Sequence, residues 1–324
     1  MLVDAAELRA RTAWGLIARP ADPIAHHLQA VLGPVDSLGY VLGRGTLSQV
    51  ARVLERVTGG EHIPRDALGL YRSRYRPERV TTAITAQHRA GIVAISPAHP
   101  WWPKALSDLQ SHAPSTLWML GGLHQSALSQ SVAIVGTLRP TPAGCSHTAF
   151  LVDAALGSGL SVISGGSRGI ATEAHRRTVS AGGISLAVVA GGLENLYPDD
   201  NFALFQTLCA RGAVLSEAPC TVAPTVQRFL WRNRIVAALA DATVVVQAEY
   251  RCGAISVAYQ AAALGRCVGV VPGVWGDTRS RGCWRIYREC GAMVLTDPSD
   301  ISVVVPRPTP RTLTEEARVT HDRF

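Results

Sequence analysis

Four glycine-bearing loops are the part of this sequence best suited to chemistry, because each follows an apolar run typical of a buried strand. Glycine lets the backbone turn with a positive φ and brings amide N–H groups close to an anion. The N-terminus of a following helix adds a partial positive charge. Arg139 and Arg168 lie inside the first two loops and would add charge-assisted hydrogen bonds. The pattern predicts an anion site. The loops cover residues 134–144, 163–170, 189–198 and 246–256.

These loops need elements that bring them together, and the sequence from about residue 91 onward supplies them. Short apolar runs alternate there with helical patterns, which predicts βαβ units and a parallel sheet with helices on both faces. In such a sheet ligands bind beyond the carboxyl ends of the strands, where the loops would lie. The predicted strands are 132–135, 160–163, 184–189, 213–215, 243–246 and 267–271, and the predicted helices are 143–157, 172–180, 202–210, 233–240, 256–264 and 284–290.

The N-terminal part has a different texture and predicts a small all-helical domain over residues 1–75. Its helices are expected at 4–18, 23–32 and 47–57, with breaks at Gly33-Pro34 and 43–45. Residues 76–100 are expected to form a basic linker that leads into the first strand, residues 101–300 the sheet domain, and residues 301–324 a tail. Four arginines and two tyrosines in 71–79 fit either a strip that faces nucleic acid or a solvated linker.

Composition excludes several classes of protein. The chain has 324 residues, 31 Lys+Arg against 24 Asp+Glu, a formal net charge of +7 and 47% hydrophobic residues, so it is not a disordered protein. No segment resembles a membrane span or a signal peptide, which predicts a cytoplasmic protein without a membrane partner. The seven cysteines include no CxxC pair, so neither a zinc site nor a disulfide framework is expected.

Catalytic motifs are scarce. The sequence contains no HExxH, no GxSxG and no carboxylate pair at an evident site spacing. A dinucleotide fold fits poorly, since no GxGxxG follows the first strand and no acidic residue ends the next one. The dehydrogenase motif Tyr-x-x-x-Lys fails as well, because Tyr259 is followed four residues later by Ala263 and Lys104 is the single lysine. We therefore expect a binding protein with no enzymatic activity, no cofactor and no metal.

A series of short motifs then points to a family. In order, they lie at 102–109, 117–121, 135–139, 164–170, 174–175, 192–193, 197–198, 216–217, 232–235, 252–253, 265–266 and 271–273. Together they resemble the DprA family, also called Smf, of DNA-processing proteins in bacterial transformation. The resemblance runs from Trp102 to about Asp300 and includes the run Ser-Gly-Gly-Ser-Arg-Gly-Ile at 164–170.

The resemblance implies a Rossmann-like domain that binds single-stranded DNA without sequence preference. It also implies a homodimer that protects incoming strands and helps to load a RecA-type recombinase. The small helical domain would be of the SAM or helix-hairpin type found in many members, and the C-terminal winged-helix domain of longer members would be absent. The implied phosphate-binding residues are Gly136, Thr137, Arg139, Ser164, Gly165, Gly166, Arg168, Gly169, Arg232, Asn233, Arg234, Cys252 and Gly253, with His175, Glu217 and Gln247 as possible associates.

Four residues depart from the family pattern. Leu138 stands where the family has arginine, and Arg139 follows it, so we expect Arg139 to substitute. Ala171 and Gln247 replace acidic residues, which makes the pocket less negative and favours a polyanion. Cys252 replaces a serine. Candidates for base stacking are Trp231, Tyr250 and Trp275.

Two alternatives remain open from the sequence. One is a nucleotide-processing hydrolase similar to the lysine-decarboxylase-like phosphoribohydrolases, which share the predicted sheet. Their Pro-Gly-Gly-x-Gly-Thr loop is not reproduced, since Val274 and Trp275 follow Pro272-Gly273, and their catalytic glutamate corresponds to Gln247. The other is a nucleic-acid sensor or adaptor that docks protein partners.

Overall fold

The structure is a computed structural model that describes residues 4–44, 65–123, 130–194 and 196–305. Its N-terminal helices are α1 (Ala5–Ile17), α2 (Pro23–Gly39), α3 (Arg65–Arg74) and α4 (Pro77–Arg89). Asp4 and Asp22 cap α1 and α2 by accepting hydrogen bonds from backbone N–H groups of the first turn. Gly33, at φ +74°, kinks α2 at the predicted Gly-Pro break. The helix expected at 47–57 lies outside the described residues.

The basic strip at residues 71–79 is built into these helices. Tyr71 is buried, and its hydroxyl donates to Asp22 Oδ2 at 2.8 Å. Arg72 donates to the carbonyl of Val41, and Arg74 Nη1 donates to the carbonyl of Ile17 at 3.1 Å. Carbonyl groups near helix ends lack intrahelical partners, so these arginines help to satisfy the backbone. Part of the strip therefore helps to hold these helices together, and α4 occupies most of the expected linker.

The described strands form one nine-stranded sheet in the order β1-β2-β6-β5-β4-β3-β7-β8-β9. Strands β1 and β2 are antiparallel to each other, β2 is antiparallel to β6, and the remaining pairs are parallel. The six predicted strands correspond to β3 through β8. The bounds are β1 Val93–Ile95, β2 Leu117–Gly121, β3 Ser131–Val135, β4 Ser161–Gly165, β5 Ser185–Val189, β6 Ala213–Ser216, β7 Ala242–Val245, β8 Cys267–Val270 and β9 Met293–Val294.

Helices cover both faces of the sheet, which confirms the predicted α/β class. One apolar cluster joins the sheet to α8, α9 and α10, and a second joins the opposite face to α5, α6 and α11. This two-sided burial explains why the central strands are continuous apolar runs. The helices are α5 Pro142–Gly157, α6 Ile170–Ser180, α7 Phe202–Cys209, α8 Val226–Leu239, α9 Gly253–Ala263, α10 Arg281–Cys290 and α11 Ile301–Val304.

The chain reverses its direction of travel across the sheet at β3. From β3 the chain proceeds through β4, β5 and β6 on one side, and it then returns through α8 to β7 on the other side. The carboxyl ends of β3, β4 and β7 therefore meet at a topological switch point, the usual ligand position in open α/β sheets. Among the described helices, none is both long and apolar enough to cross a membrane.

Candidate nucleic-acid interface

A pocket of about 420 Å³ opens at this switch point. Its walls come from the ends of β3 and β4, the start of α6, the segment with Tyr197 and Pro198 after β5, the first half of α8 and the start of α9. Nine of the thirteen implied phosphate-binding residues line it. They are Gly136, Arg139, Ser164, Gly165, Arg168, Arg232, Asn233, Cys252 and Gly253.

Arg232 supplies a buried positive charge to the pocket. It is 7% exposed, Nη1 donates to the carbonyl of Val188, and Nε has no hydrogen-bond partner among the residues that the structure describes. Its guanidinium carbon lies 5.8 Å from the centre of the Phe229 ring. Burial lowers the pKa of Arg232 to about 10. A buried cation with an unpaired donor favours an anionic ligand, because an anion would offset the cost of its desolvation.

Gly165 makes room for this arginine. A Cβ atom on Gly165 would lie 1.9 Å from Nη1 of Arg232, so any other residue would displace the guanidinium. The glycine at the end of β4 therefore serves the side-chain position of Arg232. This role adds to the phosphate contact that the sequence predicted for Gly165, which lines the pocket.

Two helices begin at the pocket without a side-chain cap. Helix α6 follows Gly169, which has φ +82°, and α9 follows Cys252. By contrast, Thr141 caps α5 and Thr225 caps α8 through their hydroxyl oxygens. Uncapped N–H groups and the helix dipole make such N-termini favourable positions for anions. Ala171 of α6 and Gly253 of α9 line the pocket, so both helix starts lie at the site.

Arg139 and Arg168 lie at the exposed side of the pocket. Arg168 forms an ion pair with Asp200 at 2.7 Å, and this hydrogen-bonded partner raises the pKa of Arg168. The backbone N–H of Arg139 donates to Thr137 Oγ1 at 3.2 Å, and its side chain is exposed. Leu138, 59% exposed, lines the pocket beside it. The displaced arginine of the first loop therefore stays within reach of the pocket.

The charge of the pocket has one sign. Its described lining contains Arg139, Arg168 and Arg232 and no Asp or Glu. Ala171, which stands where the family has aspartate, is part of this lining. The replacement therefore removes a negative charge from the site itself, as the sequence suggested.

Four of the implied residues lie outside the lining. Thr137 is buried, its N–H donates to the carbonyl of Gln247 at 2.7 Å, and its hydroxyl donates to Glu249 at 2.8 Å. The N–H of Gly166 donates to the carbonyl of Val188 at 3.3 Å, so it pairs within the sheet. Gly169 packs against the backbone of Thr137, where a Cβ would lie 2.2 Å from the carbonyl oxygen.

Arg234 is the fourth of these residues, and it faces away from the pocket. Its Nη1 and Nη2 atoms donate to Glu217 at 2.8 and 2.6 Å, and Nε donates to the carbonyl of His112 at 2.8 Å. Arg234 is two residues from Arg232, and successive helical residues are rotated by about 100°, so the two side chains lie on different faces of α8. The pair Arg234–Glu217 anchors α8 to the loop after β6.

The other two possible associates also have structural contacts. His175 is fully buried between Ser185 Oγ at 2.7 Å and the carbonyl of Gly165 at 3.2 Å, and burial lowers its pKa to about 4. Gln247 Oε1 accepts from the N–H of Thr141 at 3.0 Å, and its Nε2 donates to the Thr141 hydroxyl at 2.9 Å. Gln247 therefore orients the start of α5.

Aromatic and apolar residues that were not among the predicted phosphate-binding or stacking residues complete the walls. Tyr197 and Phe229 line the pocket with ring centres 6.1 Å apart in an edge-to-face arrangement, and Leu230 lies beside them. The expected stacking residues Trp231, Tyr250 and Trp275 are not part of the lining. The sequence did contain a signal for the contribution of α8. Its lining residues Phe229, Arg232, Asn233 and Val236 have the i, i+3, i+4, i+7 spacing of residues on one helix face.

No cluster of three or more His, Cys, Asp or Glu side chains that could hold a metal ion occurs in the described ranges. An arginine-lined pocket therefore lies at the switch point of a Rossmann-like α/β sheet. The chain belongs to the DNA recombination-mediator protein A family, whose model matches residues 93–306. The resemblance seen in the sequence is thereby confirmed, and the family consists of DNA-binding recombination mediators, not enzymes.

Several relatives support this assignment. A putative DNA processing protein DprA of Mycobacterium tuberculosis is 34% identical over 303 residues, which cover 89% of this chain and 73% of that protein. The DNA processing protein DprA of Bacillus subtilis is 30% identical over 281 residues, 86% of this chain and 93% of its own length.

Two solved structures resemble the fold. The crystal structure of DprA from Streptococcus pneumoniae matches with a TM-score of 0.73 at 23% identity and covers 95% of this chain and all of that one. DprA from Helicobacter pylori, whose structure is described as giving insight into its single-stranded DNA binding mode, matches with a TM-score of 0.59 at 26% identity. That match covers 65% of this chain and 93% of the other.

Proposed function

We propose that this protein binds single-stranded DNA through the pocket at the switch point and acts as a recombination mediator. The observation that carries the proposal is the convergence of Arg232, a buried cation with an unpaired donor, with two uncapped helix N-termini. The exposed arginines 139 and 168 extend this positive site towards solvent. A phosphate fits these donors, because backbone N–H groups and guanidinium groups are its usual partners.

The remaining walls favour a single strand over a duplex. Tyr197, Phe229 and Leu230 offer apolar and aromatic surface that an unpaired base can contact, whereas bases in a duplex are stacked on one another. The charged groups recognise phosphates, which carry no sequence information. We therefore expect sequence-independent binding. The relative from Helicobacter pylori, described by its single-stranded DNA binding mode, supports the same proposal.

Delivery to a RecA-type recombinase and protection of incoming strands in the cytoplasm are further parts of the proposal. They are supported by the description of the family as recombination mediators. A homodimer would present two pockets to one strand, and two linked sites hold a polymer more tightly than one. Light scattering at micromolar concentration tests the dimer. Recombinase ATPase activity on strands already covered by a single-strand-binding protein tests the loading step, and an unchanged rate would contradict it.

Binding itself is tested by fluorescence anisotropy with labelled single- and double-stranded oligonucleotides at several salt concentrations. We expect a preference for single strands and a steep dependence of log K on log salt. Arg139→Ala should reduce this slope by about 0.7, the value for one phosphate contact on a single strand. Arg79→Ala, which removes an exposed arginine of α4, is the matched control and should change nothing. Equal binding of both forms, together with turnover of a nucleoside monophosphate, would instead favour a hydrolase.

A further inference from the structure

A second basic surface lies on α10, outside the pocket. Arg281, Arg285 and Arg288 have the i, i+4, i+7 spacing of one helix face, and we call them the α10 stripe. The opposite face of α10 packs into the core through Cys283 and Ile286. At 1.5 Å per residue the stripe extends over about 10 Å of the helix.

The stripe is positively charged even after its ion pairs are counted. Arg285 pairs with Glu289 at 3.1 Å, whereas Arg281 and Arg288 are exposed and form no ion pair in the described part of the chain. Arg251, in the loop between β7 and α9, is also exposed and forms no ion pair with any described residue. An exposed surface with this excess attracts polyanions.

Aromatic side chains accompany these arginines. The guanidinium of Arg285 lies 4.8 Å from the centre of the Tyr250 ring and 5.5 Å from that of Tyr259. Trp284 and Tyr287 are in edge-to-face contact at 6.1 Å. Trp275, at the carboxyl end of β8, is 95% exposed. Exposed aromatic rings between arginines provide stacking positions for unpaired bases.

The stripe is continuous with the pocket through the loop between β7 and α9. The N–H of Gly282 donates to the carbonyl of Ala248 at 2.7 Å, and Arg285 Nη1 donates to the carbonyl of Tyr250 at 3.4 Å. Two residues after Tyr250, Cys252 begins the part of this loop that lines the pocket. Two residues of chain span at most about 7 Å, so the backbone of Tyr250 lies within about 7 Å of Cys252 at the wall of the pocket.

We infer that the α10 stripe is a second contact surface for single-stranded DNA and carries the part of the strand that leaves the pocket. The inference rests on the proposed function of the pocket. A strand too short to pass Cys252 and Gly253 would use the pocket alone, and a longer strand would use both surfaces. Bases next to the pocket would stack on Tyr250, and bases further on would reach Trp275.

The length of the DNA strand therefore distinguishes binding at the pocket from binding at the α10 stripe. The test uses oligo-dT of about 4 and about 16 nucleotides, the span of common single-strand site sizes, with the double variant Arg281→Ala, Arg288→Ala. On the longer strand we expect the salt slope to fall by about 1.4, because two contacts of about 0.7 each are lost. At about 0.1 M salt this is about 25-fold weaker binding. Affinity for the shorter strand should stay within about twofold of the wild type.

The matched control is Arg9→Ala, Arg79→Ala, which removes the same charge from exposed positions on α1 and α4. Arg281→Lys, Arg288→Lys should restore most of the affinity, because lysine keeps the charge. Equal effects on both strand lengths, or none on the longer one, would overturn the inference. So would unchanged DNA binding with loss of the dimer in light scattering, which would make α10 a protein interface. If pocket variants such as Arg139→Ala also leave binding unchanged, the proposed function itself fails.

Discussion

Replacing Arg232 by methionine should separate the function of the pocket from the stability of the fold. At neutral pH this residue is a buried cation, and burial lowers its pKa from its usual value to about 10. At about 1.4 kcal/mol per pKa unit, this lowering corresponds to about 3 kcal/mol of destabilisation. A base whose pKa is lowered by folding carries that penalty in full below pH 10, and the penalty disappears only as the pH rises from 10 towards 12.5.

Methionine removes the charge and keeps an unbranched side chain of similar length. The variant loses the hydrogen bond to the carbonyl of Val188, which is worth about 1 kcal/mol. The net expectation is a free protein about 2 kcal/mol more stable to urea at pH 7. Affinity for single-stranded DNA should fall about 10- to 150-fold, the value of a charged hydrogen bond of about 1.5–3 kcal/mol. The salt slope should fall by about 0.7.

Arg234→Met is the control, since it changes the same residue type two positions further along α8. It leaves Glu217 without its partner in a partly buried site, so we expect a loss of about 3 kcal/mol or more in the free energy of unfolding. The salt slope of DNA binding should not change. The reasoning is refuted if Arg232→Met is strongly destabilising while its DNA binding is intact, because the arginine would then stabilise the fold and not contact DNA.

Three further predictions concern the surroundings of the pocket. Gly165→Ala should weaken DNA binding as Arg232→Met does and add nothing in the Arg232→Met background, because its Cβ would displace the guanidinium; additive losses in anisotropy titrations would contradict this. Asp200→Asn should tighten binding by up to about fivefold, since it frees Arg168 from an exposed ion pair, and weaker binding would count against a phosphate contact there. Burial lowers the pKa of His175 to about 4, so the folded protein keeps this side chain neutral while the unfolded chain binds a proton below pH 6.5. The contribution of His175 to stability is therefore complete above pH 6.5 and is lost as the pH falls towards 4. Urea unfolding should show a drop of about 1.4 kcal/mol per pH unit in that range, which His175→Gln removes.

The central strands β3 to β8 could be predicted from the sequence because strands buried on both faces are continuous apolar runs. Residues 77–89 were expected in a linker because the arginine-rich run 72–79 leads into them, yet they form α4. The buried residues Val80, Ala83 and Ala86 recur every three residues and face the core, and the intervening polar residues hide this period. Strand β9 has two residues and no pattern that a sequence could show.

The candidate site was predicted in its loops and less well in its side chains. The glycine loops converge because the topology of the sheet requires it. Arg232 and Arg234 point in different directions because of how α8 is rotated about its own axis against the sheet. The apolar wall of Tyr197, Phe229 and Leu230 depends on how the segment after β5 packs on that helix, and no local spacing encodes this contact.

The position of β3 in the sheet has a consequence for synthesis on the ribosome. Strand β3 pairs with β4 on one side and with β7 on the other, and residues 136–241 separate β3 from β7. At about 5–20 residues per second, the ribosome needs roughly 5–20 s to make that segment. During this time one edge of a strand that is apolar from Val132 to Val135 has no partner, which favours pairing with other chains. The pocket also needs the start of α9, so a nascent chain passes through this stage with an unpaired strand edge before the pocket is complete.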